Sequence, residues 1–313
     1  MQTPRPSNSP SGSTDNDDAD RFLFRDMRRE DVDAAIDIMV AAEAATPVSH
    51  PLPRPDATFR ARRVAILSSL IGKPGTYAVV AESRGKIVGQ ALALQEGPLW
   101  GLSLLFVDPE LHGRRIGSTL LRMCREWGAD ATLWLIESSA DQKAMRAYSA
   151  LGFRFNPAMG AAGTVDPSLL RPTPQVRKAG KEKLEGVAAV DRRLRGASRA
   201  TRVEILLDNG AELLWAEDKD AAGFAVHLSG RSFIDGSPII LGADTRELAE
   251  QLLIAFLRAT AGDNVGIYSM SARQDWALRI TMHAGLTLFP MAPTFSRGFD
   301  QLPEFWLMSG VFF

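Results

Sequence analysis

The chain has 313 residues, of which 45% are hydrophobic and 23% charged, and its formal net charge is −1. This length fits two domains of ordinary size, and the composition is that of a globular protein. The near-neutral charge argues against nucleic acid or a membrane surface as partner, the single cysteine excludes an internal disulfide, and no apolar run approaches the roughly 18–20 residues that cross a bilayer.

The first twenty residues are rich in Pro, Ser, Asn and Asp and nearly lack apolar side chains. They have no apolar centre of the kind a signal peptide needs. We therefore predict a disordered tail over residues 1–20 and a cytoplasmic protein.

Residues 21–156 alternate between strand and helix patterns. Ser83-Arg84-Gly85 separates two strand-like runs, as the turn of a β-hairpin does. The predicted elements, in chain order, are a strand at 21–25, helices at 32–40 and 58–70, strands at 77–82, 86–94 and 102–107, a helix at 117–127, a strand at 131–136 and a helix at 142–151.

Four prolines lie between residues 157 and 174 among several Gly, Ala and Thr, which predicts a linker there. The same order of elements then restarts over residues 175–313. The expected elements are a strand at 175–178, helices at 181–194 and 199–207, strands at 211–215, 223–228 and 238–242, a helix from Asp244, a strand at 265–270, a helix at 274–283 and a closing core strand near the C-terminus.

One order of elements in both halves predicts a duplicated fold. The fold class is α+β, with two copies in tandem, each a central mixed β-sheet flanked by helices. Residue identity between the halves is low, so this prediction rests on element order alone.

The segment most informative about chemistry begins at the predicted strand end, Leu105, Phe106 and Val107, and continues through a short loop into a helix. The loop and the first helical turn contain His112, Gly113, Arg114, Arg115, Ile116, Gly117 and Ser118. A helix start offers unpaired main-chain N–H groups and a positive dipole end, and glycine lets a phosphate approach the main chain. We predict a diphosphate site.

Here the sequence resembles the GNAT superfamily of acyl-CoA N-acyltransferases. That family has a Val-x-Pro-like step, present as residues 107–109, and then Gln/Arg-x-x-Gly-x-Gly/Ala, which residues 112–117 match in part. Downstream, Ala144 matches the last position of an Asn-x-x-Ala pattern in which Asp141 occupies the first, and Tyr148 and Gly152-Phe153 follow it. Three positions depart from the pattern, where His112, Arg115 and Asp141 replace the usual residues.

The resemblance implies two GNAT-like domains: a catalytic domain binding acyl-CoA over residues 21–156 and a degenerate copy over 175–313. It implies acetyl-CoA or another acyl-CoA as co-substrate, direct attack by an amine in a ternary complex, and Tyr148 as general acid to the CoA thiolate. N–H groups of the 105–107 strand, splayed by a bulge, would polarise the thioester carbonyl. The acceptor, a small molecule or peptide, stays open.

No general base is assigned from the sequence. Glu137 and Glu96 are the carboxylates best placed to face a cleft, although a solvated strand end explains each of them too. His50, Arg60 and Arg63 lie between the first two helices, where such folds often build the acceptor site.

The second half has lost the matching residues. At the equivalent loop only Gly242 is present, and Asp244 with Glu247 would occupy the helix start and repel a diphosphate. Thr281 stands where Tyr148 would lie, and Gln274 where Asp141 would. The second half is therefore expected to shape the acceptor site or to be purely structural.

Other function classes fit less well. Residues 171–202 hold ten Lys or Arg against three Asp or Glu, but without aromatic interleaving, so no nucleic-acid site is predicted. Four histidines without ligand spacing predict no metal. A dinucleotide site lacks its βαβ unit. A non-catalytic acyl-CoA-binding or regulatory module is the alternative to an enzyme, no membrane association is expected, and a homodimer stays open.

Overall fold

The computed structural model describes residues 22–45, 57–228, 238–262 and 264–308. The predicted tail at 1–20, His50 and the last five residues of the predicted closing strand lie outside the described residues.

The first half contains six strands and four α-helices among the described residues. In chain order they are β1 (Leu23–Asp26), α1 (Val32–Ala45), α2 (Ala57–Leu70), β2 (Thr76–Ser83), β3 (Lys86–Glu96), β4 (Leu99–Val107), α3 (Ile116–Trp127), β5 (Leu133–Glu137), α4 (Gln142–Ala150) and β6 (Arg154–Thr164). All the elements predicted for this half are present, with bounds shifted by a few residues.

The second half repeats the order. Its elements are β7 (Val176–Ala179), α5 (Leu184–Arg195), α6 (Ala200–Asp208), β8 (Ala211–Asp218), β9 (Ala221–Leu228), β10 (Pro238–Ala243), α7 (Arg246–Ala259), β11 (Asn264–Met270), α8 (Asp275–His283), β12 (Thr287–Arg297) and β13 (Trp306–Leu307). The helix expected to open at Asp244 instead has Thr245 as its N-cap, whose hydroxyl accepts from the Leu248 N–H.

Two sheets result. The larger has mixed topology and contains strands of both halves, whereas the described pairs of the smaller are all antiparallel and involve second-half strands. The larger sheet has the order β1-β2-β3-β4-β5-β12-β6-β11, and the smaller has the order β13-β10-β9-β8-β7. Only β4 and β5 pair in parallel among the described pairs. β12 of the second half lies between β5 and β6 of the first, and β11 pairs with β6, so the last strands of the two halves interleave in the larger sheet.

The predicted linker at residues 157–174 is wrong over its first part. Residues 154–164 form β6, which pairs with both β12 and β11. Packing explains Gly160 of this strand, since a Cβ there would lie 2.4 Å from the Phe289 ring. The division of the chain at this point stays a prediction, because the sheet continues through it.

Helices cover both faces of the larger sheet. On one face α3 buries Ile116, Leu120, Leu121 and Cys124, which recur at helical spacing. Burial raises the pKa of the Cys124 thiol to about 12. On the other face α1 and α2 pack with Leu104 and Leu135. Gly89 of β3 allows α3 to approach closely, because a Cβ there would lie 3.0 Å from the Ile116 side chain.

Candidate active site

A fork between two parallel strands forms the centre of the candidate site. Leu99–Leu102 of β4 pair with Leu133–Ile136 of β5, and the pairing ends there. The register between β3 and β4 shifts at the same place, so that Ser103 is an extra residue, a β-bulge. We expected the bulge along residues 105–107; the structure places it just before them.

Two main-chain amides of β4 point into the fork. The Asp108 N–H donates to the Val88 carbonyl of β3 over 3.0 Å. Since alternate residues of a strand face opposite neighbours, Leu105 and Val107 present their N–H groups to the β5 side, where β4 has no partner strand among the described residues. His112 Nε2 lies 3.3 Å from the Val107 carbonyl oxygen on that side. The fork therefore offers two convergent donors.

The loop that follows ends at a helix start without a side-chain cap. α3 has Arg115 as its N-cap residue, with no side-chain hydrogen bond to the first turn, whereas α4 and α7 are capped by Asp141 and Thr245. Residues 112–115 are exposed, and no atom outside its chain neighbours lies within 4 Å of a Cβ built on Gly113. The Ser118 hydroxyl donates to the Arg115 carbonyl. An anion has open access to this helix end.

Arg115 adopts a left-handed conformation with φ of 62°. This conformation costs a non-glycine residue roughly 1–2 kcal/mol. The cost explains why glycine is usual at this position in the family that the sequence resembles. We expect the Arg115→Gly variant to exceed the Arg115→Ala variant in free energy of unfolding by about 1 kcal/mol. Urea titration measures the difference, and both variants lose the same charge. Equal stabilities would contradict the strain.

Tyr148 lies on α4 beneath the sheet and is 5% exposed. Its ring meets Phe295 of β12 edge-on, with 5.4 Å between ring centroids. Burial, and secondarily the Asp141 carboxylate, raise the pKa of the Tyr148 hydroxyl above its ordinary value. Asp141 caps α4 by accepting the Lys143 N–H over 2.8 Å. The tyrosine therefore keeps its proton at neutral pH.

Residues 38–153 match the model of the acetyltransferase (GNAT) family. They form a GNAT-family domain. No curated protein matches the chain in sequence.

Solved structures with the same fold cover nearly the whole chain. A putative acetyltransferase from Pyrococcus horikoshii superposes with a TM-score of 0.74 at 17% identity, over 93% of this chain and 96% of that one. A tandem GNAT protein from the clavulanic acid biosynthesis pathway gives 0.58 at 16% identity, over 90% and 100%. A GCN5-related N-acetyltransferase from Sphaerobacter thermophilus gives 0.58 at 17%, over 90% and 98%. These likenesses establish the tandem fold.

The GNAT domain separates the two candidate carboxylates. Glu96 pairs with Leu99 at the closed end of the β4–β5 contact, and the buried Arg202 guanidinium lies 3.7 Å from its carboxylate. Glu137 directly follows Ile136, the last residue of β5 to pair with β4. Only Glu137 is at the fork.

The region between the first two GNAT helices has mixed roles. Arg60 forms ion pairs with Asp33 and Asp37 of α1 at 2.7 and 2.9 Å, which ties α2 to α1. Arg63 contacts the Met39 sulfur, and burial lowers the pKa of its guanidinium. Arg60 therefore has a structural explanation.

The second half has no comparable fork among the described residues. β10 pairs with β9 on one side and with Trp306–Leu307 of β13 on the other, where the first half has its gap. Thr281 is fully buried in α8 and hydrogen bonds the Leu278 carbonyl, and Gln274 bonds the carbonyls of Pro303 and Glu304.

Within the described ranges, no group of three or more His, Cys, Asp or Glu side chains could hold a metal ion. No helix in that part of the chain is long and apolar enough to span a bilayer.

The structure brings most of the predicted site residues to one place. Leu105, Val107 and the 112–118 loop border the fork, and Tyr148 lies on the face of the sheet that α3 covers. Ser269, which contacts Glu137 from the second half, was not predicted from the sequence. No local pattern distinguishes that serine, because a bulge in β11 sets its orientation.

Proposed function

We propose that the GNAT domain transfers an acyl group, in the first place acetyl, from CoA to an amine by direct attack in a ternary complex. The observation that carries the proposal is the fork, where two open amides of β4 lie beside an uncapped helix start and a buried protonated tyrosine. Each part answers one need of thioester aminolysis.

Each group of residues in the site suits a different part of the acyl-CoA. The N–H groups at the start of α3 and the side chains of His112, Arg114 and Arg115 suit a diphosphate. The Leu105 and Val107 amides suit the carbonyl oxygen, which gains negative charge as the amine attacks. Tyr148 gives its proton to the departing thiolate, which leaves as the free thiol.

The second half, in this proposal, is a degenerate copy that binds no CoA and shapes the acceptor side. β13 occupies the position of its fork, and Thr245 caps its equivalent helix. The acceptor is an amine-bearing small molecule or peptide.

The activity is tested by incubating the protein with acetyl-CoA and a panel of primary amines, namely spermine, lysine, glucosamine and a peptide with a free N-terminus, while free thiol is measured. Thiol release that depends on the amine supports the enzyme. CoA binding without thiol release would favour the alternative, a non-catalytic acyl-CoA-binding module.

The phosphate site is tested by Gly113→Glu, with Gly113→Gln as matched control. Both variants place a side chain of the same size at a φ of 89°, but only Glu adds negative charge beside the helix start. We expect at least a tenfold larger Kd for CoA in the Glu variant than in the Gln variant, measured by calorimetry. Equal affinities would place the CoA site elsewhere.

A further inference from the structure

Glu137 lies at the fork on the face opposite to Tyr148. Trp134 and Ile136 of β5 pack in the core that contains α3 and Tyr148. Leu135 packs in the core that contains α1 and α2. Because side chains alternate along a strand, Glu137 follows Leu135 onto the α1–α2 face. Acid and carboxylate thus flank the same gap from opposite sides.

Ser269 of the second half reaches this carboxylate. Its hydroxyl donates to Glu137 Oε1, and its side chain is largely buried. The other oxygen, Oε2, is buried and has no hydrogen-bond partner among the described residues. A buried carboxylate oxygen without a donor is costly for folding, so a role in binding or catalysis explains it better than a purely structural role.

Three strand irregularities surround Glu137. The Ser103 bulge opens β4 beside the preceding residue, Ile136. β12 has its register shift between Met291 and Thr294, and Thr294 lies directly opposite Glu137. β11 shifts register between Ile267 and Met270, and Ser269 lies within this irregular segment. Bulges re-aim side chains at functional sites.

The backbone of Ser269 is strained. Its φ is 56°, a conformation that non-glycine residues other than Asn and Asp rarely adopt, with a cost of about 1–3 kcal/mol. Its N–H faces the Met291 sulfur at 3.5 Å. The strain is the local consequence of aiming the hydroxyl at Glu137.

The surroundings of Glu137 carry little charge. Burial raises its pKa to about 7, and the Ser269 hydrogen bond lowers it in part. No charged side chain of the described residues contributes to this shift. The Ser269 hydroxyl on β11 hydrogen bonds its carboxylate, and the uncharged Thr294 of β12 lies opposite it in the strand register. Near neutral pH the carboxylate can therefore both take and release a proton.

We propose that Glu137 accepts the proton of the attacking amine and that Ser269, contributed by the second half, is the positioning residue that holds it at the fork. This inference rests on the proposed acyltransferase activity. The amine nitrogen bonds to the thioester carbon and gives its proton to Glu137. The C–S bond breaks, and the sulfur takes the proton of Tyr148. Glu137 then releases its proton to water, and Tyr148 regains one.

The test compares wild type with Glu137→Gln and Ser269→Ala. The control is Ser296→Ala, which also removes a buried serine hydroxyl, but from β12. In wild type, kcat/KM for the best amine should rise with pH through an apparent pKa near 7. Glu137→Gln should lower kcat/KM about 10²-fold or more and remove this rising limb of the pH profile. Ser269→Ala should move the limb to higher pH, because the bond that lowers the Glu137 pKa is lost. Ser296→Ala should leave it in place.

Carboxyl ¹³C NMR of Glu137 gives an outcome that needs no acceptor. A titration near pH 7 that moves upward in Ser269→Ala supports the proposal. A titration in the ordinary glutamate range near 4.3, or full activity with an intact limb in Glu137→Gln, overturns it. Either of these results would leave amine-dependent thiol release unaffected, and with it the proposed acyltransferase activity.

Discussion

Replacing Tyr148 with phenylalanine is expected to lower kcat about 10²- to 10³-fold, with little change in the KM for acetyl-CoA. The variant keeps the ring and its edge contact with Phe295, so packing is preserved and only the hydroxyl is lost. The departing thiolate then leaves without a proton donor. Steady-state kinetics with the best amine of the panel measures the effect.

The pH profile distinguishes the acid from a packing role. Since burial and Asp141 raise the pKa of Tyr148, the wild-type rate should fall only above the ordinary tyrosine value of about 10, and Tyr148→Phe should lack that fall. Tyr77→Phe is the matched control, because Tyr77 is also partly buried and stacks on Trp127 away from the fork. Unchanged turnover in Tyr148→Phe would exclude it as the acid.

The elements of the first half up to α4 could be predicted from sequence because local signals agree there. The continuous apolar run into β4 and the helical spacing of α3 each have one explanation. The fork itself was foreseen only through the family resemblance. Its exact position depends on Ser103, an extra residue that no pattern of polar and apolar side chains reveals.

The two strands that join the halves were missed for a physical reason. β6 contains Pro157 and Gly160, and β12 contains Pro290 and Pro293, residues that normally interrupt sheets. The ladder between the strands shifts register between Met291 and Thr294. Pro157 and Pro293 both fall in this interruption, where a missing N–H costs no ladder bond. Only the tertiary pairing makes these sequences strands.

Ser269 illustrates a different limit. It belongs to a strand that was predicted at residues 265–270, and the structure has Asn264–Met270 there. Its partner Glu137 is 132 positions away in the chain. A contact of that separation depends on the strand exchange between the halves, so the candidate base and its positioning residue could not be joined from sequence alone.

Replacing Asp191 with asparagine is expected to lower the free energy of unfolding by about 3–5 kcal/mol. Asp191 of α5 is fully buried and accepts from the main-chain N–H of Arg199 at 2.7 Å and from its guanidinium at 2.6 Å. The Arg195 guanidinium, also buried, lies 3.6 Å away and makes no hydrogen bond among the described residues. Without the carboxylate, two buried cations would face each other unpaired.

The same substitution at an exposed pair provides the control. Asp208 meets Lys181 at 2.7 Å with both side chains about half exposed, so Asp208→Asn should cost a small fraction of the loss at Asp191. Urea unfolding at neutral pH measures both variants.

The pH dependence separates lost charge from lost packing at Asp191. Burial opposes ionisation of Asp191, but Arg199 and Arg195 outweigh it and hold its pKa below the ordinary range. A depressed pKa stabilises the fold above the unfolded value near 3.9 and ceases to do so as pH falls through the folded value. The gap between wild type and Asp191→Asn should therefore be constant from neutral pH down to about pH 4 and shrink below it. A gap independent of pH throughout would assign the loss to packing and contradict a buried charge balanced by these two arginines.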